Sequence, residues 1–265
     1  MANRFKDQVF WITGASSGIG EALAWLAVEE GAKVVLSARR AEELERVKAA
    51  SNQPENCLVL PLDLTQIDSF AEAHQTIESA FGPVDVLINN GGISQRGRVW
   101  ETDLSVHRRI MEINYFGAVA LTQEVLPRMI ERKKGHIVGI SSLSGKFGWH
   151  MRSAYAASKH ALDGFMETAW LELQPHNVHT TIVSPGRIKT NISYNALTAD
   201  GSKHGKLDPG QEKGLPADLC ARKILHAVER KKAEVVIGQM DRIMYWLKRF
   251  WPAMFRWLAL RVEAS

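Results

Sequence analysis

The sequence predicts a doubly wound α/β fold with a seven-stranded parallel sheet, followed by an amphipathic helical tail. Seven short segments rich in Val, Ile and Leu alternate with six segments of helical composition, and the first four apolar segments show no polar alternation. Unbroken apolar strands separated by helices are typical of parallel sheets covered on both faces. The 265 residues, 45% of them hydrophobic and 23% charged, are enough for one large domain.

The predicted strands and helices follow each other in order along the chain. The strands are expected at residues 8–13, 33–37, 57–62, 84–89, 135–141, 178–184 and 234–238. The helices are expected at residues 18–30, 41–50, 66–81, 103–131, 153–174 and 216–230. The long connection at about 186–215 contains Gly201, Gly205, Gly210 and Gly214 and has little apolar periodicity, which is typical of a functional lid. No linker divides the chain, so one domain is expected over residues 1–238.

Composition argues against several classes of protein. The two cysteines have no metal-binding spacing and the nine histidines form no ligand motif, so we expect reduced thiols, a cytoplasmic protein and no metal site. The first twelve residues are too polar for a signal peptide. Residues 239–265 hold five Lys and Arg against two acidic residues, which leaves 28 against 27 elsewhere in a chain of net charge +4. A basic tail without a basic face predicts no nucleic-acid partner.

A glycine-rich turn follows the first predicted strand, in the segment TGASSGIG. Glycine at positions 14, 18 and 20 lets the chain turn tightly and lets a phosphate approach the N-terminus of the next helix. The spacing differs from the GxGxxG of most dinucleotide-binding sheets, and a plain tight turn is the alternative. As the first strand-to-helix turn of this pattern, the segment favours a nucleotide site.

The second predicted strand ends in Arg39 and Arg40. An acidic residue at this distance from the glycines binds the ribose 2′-hydroxyl of NAD, whereas the planar fork of an arginine suits the 2′-phosphate of NADP. The arginines therefore favour NADP(H) over NAD(H). The alternative is that both residues begin a solvated helix in which they pair with Glu42 and Glu43.

Tyr155 and Lys159 are four residues apart in a predicted helix, so their side chains share one face. An ammonium group near the phenol lowers the pKa of the tyrosine from about 10 toward the range of a general acid or base. Ser142, at the end of the fifth strand, supplies a hydroxyl that can polarise a carbonyl oxygen. Each feature alone is common, and the combination indicates a proton-transfer site. Trp149 and His150 follow the same strand and are candidates for the wall of a substrate pocket.

Over residues 7–238 the chain resembles the single-domain type of the short-chain dehydrogenase/reductase family. TGASSGIG, the NNGG of residues 89–92, Asn114, Ser142, YAASK and the Pro185–Gly186 turn occur in family order. The resemblance implies a Rossmann fold and an enzyme that transfers hydride between NADP(H) and a carbonyl compound or secondary alcohol. Segments such as ISSLSGK and SPGRIKTNIS are most similar to the branch of 11-beta-hydroxysteroid dehydrogenase type 1 and the dehydrogenase/reductase member 7 proteins, which implies a lipophilic substrate.

The resemblance also implies roles for individual residues. Tyr155 would exchange the proton, Ser142 would hold the substrate oxygen, and Lys159 would also bind the nicotinamide ribose. Asn114 would hold a water that links Lys159 to solvent. The residues implied in cofactor binding, in addition to Tyr155 and Lys159, are Gly14, Ser16, Ser17, Gly18, Ile19, Gly20, Arg39, Arg40, Asp63, Leu64, Asn90, Gly91, Pro185, Gly186, Ile188 and Thr190.

Within that set, Asp63 would contact the adenine, and Asn90 and Gly91 would lie beside the adenosine ribose. Ile188 and Thr190 would hold the carboxamide. Family members often form homodimers or homotetramers, and the same is expected here. A 3-oxoacyl thioester reductase and a non-catalytic, NADP-sensing protein at a membrane surface are the alternative functions.

The tail, residues 239–265, combines aromatic and basic residues. At 100° per residue one half of the circumference holds Ile243, Trp246, Leu247, Phe250, Trp251, Met254, Phe255, Trp257 and Leu258, and the other half holds Arg242, Lys248, Arg249 and Arg256. Pro252 should kink or divide this helix. An interfacial helix that contacts a membrane surface through residues 240–262 has this pattern. The alternative is a helix that packs on its own domain or across a dimer interface.

Overall fold

The buried apolar segments pair side by side in a computed structural model that describes residues 3–238 and 241–261. In chain order the strands are β1 (Val9–Thr13), β2 (Lys33–Ser37), β3 (Cys57–Val59), β4 (Val86–Asn89), β5 (Gln95–Arg96), β6 (Gly135–Ile140), β7 (Val178–Pro185), β8 (Leu197–Thr198) and β9 (Glu234–Ile237). Seven of them form one parallel sheet in the order β3-β2-β1-β4-β6-β7-β9, and β5 and β8 form a separate parallel pair. The predicted seven-stranded parallel sheet is confirmed.

Helices connect these strands in the predicted alternation. Their bounds are α1 (Gly18–Glu29), α2 (Ala41–Ala49), α3 (Phe70–Phe81), α4 (Leu104–Met111), α5 (Gly117–Arg132), α6 (Ser153–Leu173), α7 (Pro209–Glu212), α8 (Ala217–Glu229), α9 (Asp241–Phe250) and α10 (Pro252–Ala259). The chain leaves β1 toward β2 and β3, then returns to place β4 on the other side of β1. This reversal opens a crevice at the carboxyl ends of β1 and β4, where doubly wound folds bind their ligands.

The core lies in two layers, one on each face of the sheet. Successive strand residues point to opposite faces, so Phe10 packs in the layer that includes α1 and α8, and Trp11 packs in the layer that includes α3, α5 and α6. Both side chains are fully buried. The Trp11 indole donates a hydrogen bond of 2.9 Å to the Ser37 hydroxyl, so its buried polar group has a partner.

The structure corrects two predicted boundaries. β3 ends at Val59 and not at residue 62, although the amides of Leu60 and Leu62 still donate to the carbonyl oxygens of Leu36 and Ala38. The predicted helix over residues 103–131 is divided by one π-helical turn, Glu112–Phe116, between α4 and α5. The predicted lid at 186–215 contains β8 and the short helix α7.

The tail forms two helices, because α10 begins at Pro252 as the sequence predicts. One side of this pair packs on the domain. Phe255 is 6% exposed and clusters with Leu143 and Phe147, and Met244 and Leu247 pack against the same cluster. Residues 239–240 and 262–265 of the predicted tail lie outside the described residues.

Candidate active site

The glycine turn brings the end of β1 against the start of α1. Gly14 and Gly18 have φ angles of +65° and +60°, which residues other than glycine rarely adopt. A Cβ on Gly20 would collide with the carbonyl oxygen of Gly14. Ser17, at the N-cap of α1, makes no side-chain capping bond, so the first helix amides remain available to a phosphate.

A second set of contacts joins this turn to the end of β4. The Thr13 hydroxyl accepts hydrogen bonds from the amides of Asn90 (3.0 Å) and Gly91 (2.9 Å). The Asn90 side chain in turn donates to the carbonyl oxygens of Thr13 (2.9 Å) and Gly14 (3.2 Å). The two strand ends that border the crevice are therefore held together by reciprocal hydrogen bonds.

A cleft of about 580 Å³ opens above this junction. Most of the residues that the sequence assigns to a dinucleotide line it, namely Gly14, Ser16, Ser17, Gly18, Ile19, Arg39, Arg40, Asp63, Leu64, Asn90, Gly91 and Thr190. Gly20 lies beneath the cleft, where its missing Cβ permits the close packing of α1. Pro185, Gly186, Ile188, Tyr155 and Lys159 line the neighbouring cavity instead. The glycines, the uncapped helix N-terminus and the two arginines fit a nicotinamide dinucleotide.

That neighbouring cavity has a volume of about 430 Å³, and Ser142, Tyr155 and Lys159 line it together. Tyr155 is 8% exposed, and burial raises the pKa of its phenol. A hydrogen bond with Ser142 and the positive charges of Arg152 and Arg96 act in the opposite direction on that pKa. The sequence-predicted proton-transfer residues therefore meet in one cavity.

Lys159 lies one helical turn after Tyr155 on α6. Its ammonium group donates a 2.7 Å hydrogen bond to the carbonyl oxygen of Ile140 and lies 5.9 Å from the centre of the Tyr155 ring. Burial lowers the pKa of Lys159 to about 8, and the nearby carboxylate of Asp163 partly opposes this. The group still carries a proton at neutral pH.

Asn114 occupies the π-helical turn and is 1% exposed. Its side chain accepts a hydrogen bond from the Ile93 amide (2.8 Å) and donates to the Ile93 carbonyl oxygen (2.9 Å) and the Ser158 hydroxyl (3.0 Å). A π-helical turn inserts one extra residue into a helix and is frequent at functional sites. Here it brings Asn114 beside α6, next to Gly92 and Lys159.

The outer wall of the cavity comes partly from the tail. Trp149 lines the cavity as predicted, together with Ser94, Phe147, Arg152, Gln211, Ile243, Met244, Leu247 and Leu258. His150 does not line it and instead lies 3.2 Å from the carbonyl oxygen of Ala259 in the tail. The tail residues and Arg152 were not predicted to line the cavity, although the position of Arg152 three residues before Tyr155 was an available signal.

Within the described part of the chain, no group of three or more His, Cys, Asp or Glu side chains could hold a metal ion. The hydroxyl, phenol and ammonium groups of the cavity lie beside the dinucleotide cleft. Such a pairing of clefts defines a class of dinucleotide-dependent oxidoreductases.

Comparisons with known proteins place the chain within that class. The family model for the short chain dehydrogenases matches residues 8–200, and the chain belongs to this family of nicotinamide-dependent oxidoreductases. It is similar to a dehydrogenase/reductase SDR family protein 7-like of Drosophila melanogaster, with 42% identity over 97% of this chain and 80% of that protein. It is also similar to the dehydrogenase/reductase SDR family member 7B of Mus musculus, with 43% identity over 98% of this chain and 81% of that protein.

Solved structures show the same fold. A short-chain dehydrogenase from Streptomyces avermitilis superposes with a TM-score of 0.80 at 30% identity, over 96% of this chain and 98% of that one. A short chain dehydrogenase/reductase from Burkholderia phymatum, solved in complex with NAD, superposes with a TM-score of 0.82 at 21% identity, over 99% of this chain and 98% of that one.

The lowered pKa of Lys159 predicts a pH-dependent stability. Between about pH 8 and 10.5 the unfolded chain holds a proton that native Lys159 has lost, so this group makes the protein more stable as pH rises through that window. The free energy of unfolding of the wild type should therefore rise relative to that of Lys159→Met by about 1 to 3 kcal/mol. Urea unfolding across this pH range measures the difference. The exposed Lys223→Met is the control, and an equal response of both variants would contradict the assignment.

Proposed function

We propose that this protein is an NADP(H)-dependent oxidoreductase that interconverts a lipophilic carbonyl compound and the corresponding secondary alcohol. The observation that carries the proposal is the convergence of Ser142, Tyr155 and Lys159 on a cavity that adjoins the dinucleotide cleft. The two spaces share lining residues, among them Ile19, Asn90, Gly92 and Thr190. A substrate in one space therefore lies against a ligand in the other.

Proton transfer follows from the state of the side chains. Because burial raises the pKa of Tyr155, its phenol is protonated at neutral pH and can donate to a carbonyl oxygen during reduction. The Ser142 hydroxyl is placed to hydrogen-bond the same oxygen. The charge of Lys159 stabilises the negative charge that develops as the proton leaves Tyr155. The nicotinamide dinucleotide, when bound, supplies or accepts the hydride.

The arginines at the end of β2 support the choice of NADP(H). Arg39 and Arg40 are exposed and line the cleft. Glu43, which the alternative assigns to them as a partner, forms its ion pair with Arg46 at 2.9 Å, and Arg46 also pairs with Glu21 at 2.7 Å. The charge of Arg40 contributes to the lowered pKa of Glu43, but no ion pair joins Arg39 or Arg40 to Glu42 or Glu43 in the described residues, so both guanidinium groups can bind a phosphate.

The outer face of the tail supports attachment to a membrane surface. Trp246, Phe250, Trp251, Met254, Trp257 and Leu260 are between 45% and 81% exposed on this face. Lys248, Arg249 and Arg256 lie in the same two helices and suit anionic lipid headgroups. No helix in the described residues is long and apolar enough to cross a bilayer. Both readings of the tail sequence therefore hold in part in this proposal: the inner face of the tail packs on the domain, and its exposed outer face contacts lipid.

Self-association stays a prediction of the family resemblance. Three exposed apolar residues on the α5–α6 side of the domain support it: Phe116, Trp170 and Leu171 are 49%, 41% and 65% exposed. Paired subunits would remove these side chains from water.

Tyr155→Phe should abolish turnover while the protein still binds NADPH, because the change removes the proton donor and keeps the ring. A loss of about 100-fold or more in kcat is expected. The measurement is NADPH oxidation with steroid ketones, retinal, long-chain aldehydes and an acyl-carrier 3-oxo thioester, with NADPH fluorescence as the binding assay. Tyr115→Phe is the control. NADPH binding without Tyr155-dependent turnover of any substrate would favour the sensor, and activity confined to the thioester would favour the thioester reductase.

Arg39→Asp should shift the cofactor preference toward NADH. Replacing the guanidinium with a carboxylate removes a charge-assisted bond to the 2′-phosphate, and the NADPH/NADH ratio of kcat/KM should fall by about 10- to 100-fold. Lys48→Asp changes the charge equally on the neighbouring helix and should leave the ratio unchanged. If the ratio is the same in Arg39→Asp and the wild type, another group reads the phosphate.

Membrane attachment is tested by sedimentation of the full chain with vesicles of phosphatidylcholine, with and without phosphatidylserine. Binding should depend on the anionic lipid, and it should be lost in the double variant Phe250→Asp and Trp257→Asp, which changes only the outer face of the tail. Trp100→Asp, at an exposed loop residue outside the tail, is the control. Equal sedimentation of the tail variant and the wild type would refute the attachment.

A further inference from the structure

An arginine that no step of the proposed mechanism uses lines the substrate cavity. Arg152 directly precedes α6 and lines the same space as Ser142 and Tyr155. Its side chain is only 18% exposed. A guanidinium at this depth requires hydrogen-bond acceptors, because burial of an uncompensated charge is costly.

The acidic partner of Arg152 is Asp208, which already forms an ion pair with a second arginine, Arg96. Arg96, whose side chain is 6% exposed, directs two of its guanidinium nitrogens at one carboxylate oxygen of Asp208, with the Nε contact at 2.9 Å. Its remaining nitrogen donates to the Ser94 hydroxyl at 2.9 Å and to the Gln95 carbonyl oxygen at 2.6 Å. Arg96 and Asp208 therefore form a complete ion pair, in which every guanidinium nitrogen has an acceptor.

Arg152 adds a second cation to this pair. It donates one bond, of 3.2 Å, to the same Asp208 oxygen, and no other acceptor contacts its side chain within residues 3–238 and 241–261. Burial, and after it the charge of Arg96, lower the pKa of Arg152, which still remains protonated at neutral pH. Two guanidinium groups thus share one carboxylate, and the excess positive charge lies at the cavity wall.

The rest of the cavity wall matches this charge excess. The ammonium group of Lys159 lines the same cavity, and none of the described lining residues is acidic. Aromatic and aliphatic side chains of the 147–149 loop and the tail line the same cavity. A cavity with a cationic group, a proton donor and a large apolar wall fits an apolar molecule that carries a negative charge better than an uncharged one.

We propose that Arg152 binds an oxyanion of the substrate, so that the protein acts on carbonyl lipids that carry a carboxylate or a phosphate group. This inference rests on the proposed oxidoreductase function and specifies its substrate class. The planar guanidinium can donate two parallel hydrogen bonds to either oxyanion while Tyr155 and Ser142 hold the carbonyl oxygen. The apolar chain then lies against Trp149 and the tail.

The competing explanation is that Arg152 only ties the lid to the domain through Asp208. A pair of matched substrates separates the two explanations: a long-chain 4-oxo acid and its methyl ester, which differ only in charge. The wild type should prefer the acid by about 10- to 100-fold in kcat/KM. Arg152→Gln should reduce this ratio to about one. Arg98→Gln, an exposed arginine outside the cavity, should preserve the ratio.

Asp208→Asn provides the converse variant, because it removes the carboxylate and leaves Arg152 in place. It should keep or increase the preference for the acid if Arg152 binds the oxyanion. If Arg152 only ties the lid to the domain, Arg152→Gln and Asp208→Asn should each lower kcat/KM for the acid and for the ester by the same factor. Equal use of the acid and the ester by the wild type, or an unchanged ratio in Arg152→Gln, would overturn the proposal.

A binding measurement gives an independent test, because it needs no turnover and can be made even if a variant or a substrate is inactive. Quenching of tryptophan fluorescence by dodecanoate, dodecyl phosphate and dodecanol, below their aggregation concentrations, reports occupancy. The wild type should bind each of the two anions at least about 10-fold more tightly than dodecanol. Arg152→Gln should bind all three compounds with equal affinity. The stronger of the two identifies the oxyanion. Absence of turnover with anion-selective binding would count against the oxidoreductase and not against the anion site, whereas equal binding of all three would overturn the site.

Discussion

The reciprocal hydrogen bonds between the turn after β1 and the end of β4 are the constraint on which the rest of the site depends. Thr13 accepts from the amides of Asn90 and Gly91, and Asn90 donates back to the turn that carries Gly14. This junction fixes where α1 begins and therefore where a phosphate can be held. It also lies at the edge that the dinucleotide cleft shares with the neighbouring cavity, because Asn90 lines both spaces.

The order of strands and helices could be predicted from the sequence because its signals are local. Continuous apolar runs identify strands buried on both faces, and their alternation with helices leaves few possible topologies. The glycine turn, Ser142, Tyr155 and Lys159 were predictable because each has a local pattern. These features require only short-range information.

Other features depend on contacts that no spacing reveals. A single extra residue in the helix at Glu112–Phe116 hardly changes an apolar periodicity of about 3.6 residues, yet it places Asn114 against α6. The ion pair of Arg96 with Asp208 joins residues 112 positions apart, and Arg152 reaches the same carboxylate from the start of α6. Amphipathicity grouped the apolar residues of the tail on one side, but it did not show that Phe255 packs on the domain while Trp246 and Phe250 stay exposed. Tertiary packing decided all three.

The packing of the tail on the cavity has a consequence for how such an enzyme can diversify. The residues of the dinucleotide cleft and the proton-transfer residues are encoded before or within the lid, whereas Ile243, Met244, Leu247 and Leu258 of the cavity wall are encoded in a short terminal segment. Exchange or extension of that segment can reshape the space offered to a substrate without disturbing the sheet or the reactive groups. The part of the cavity wall that the tail supplies can therefore vary independently of the residues that line the dinucleotide cleft.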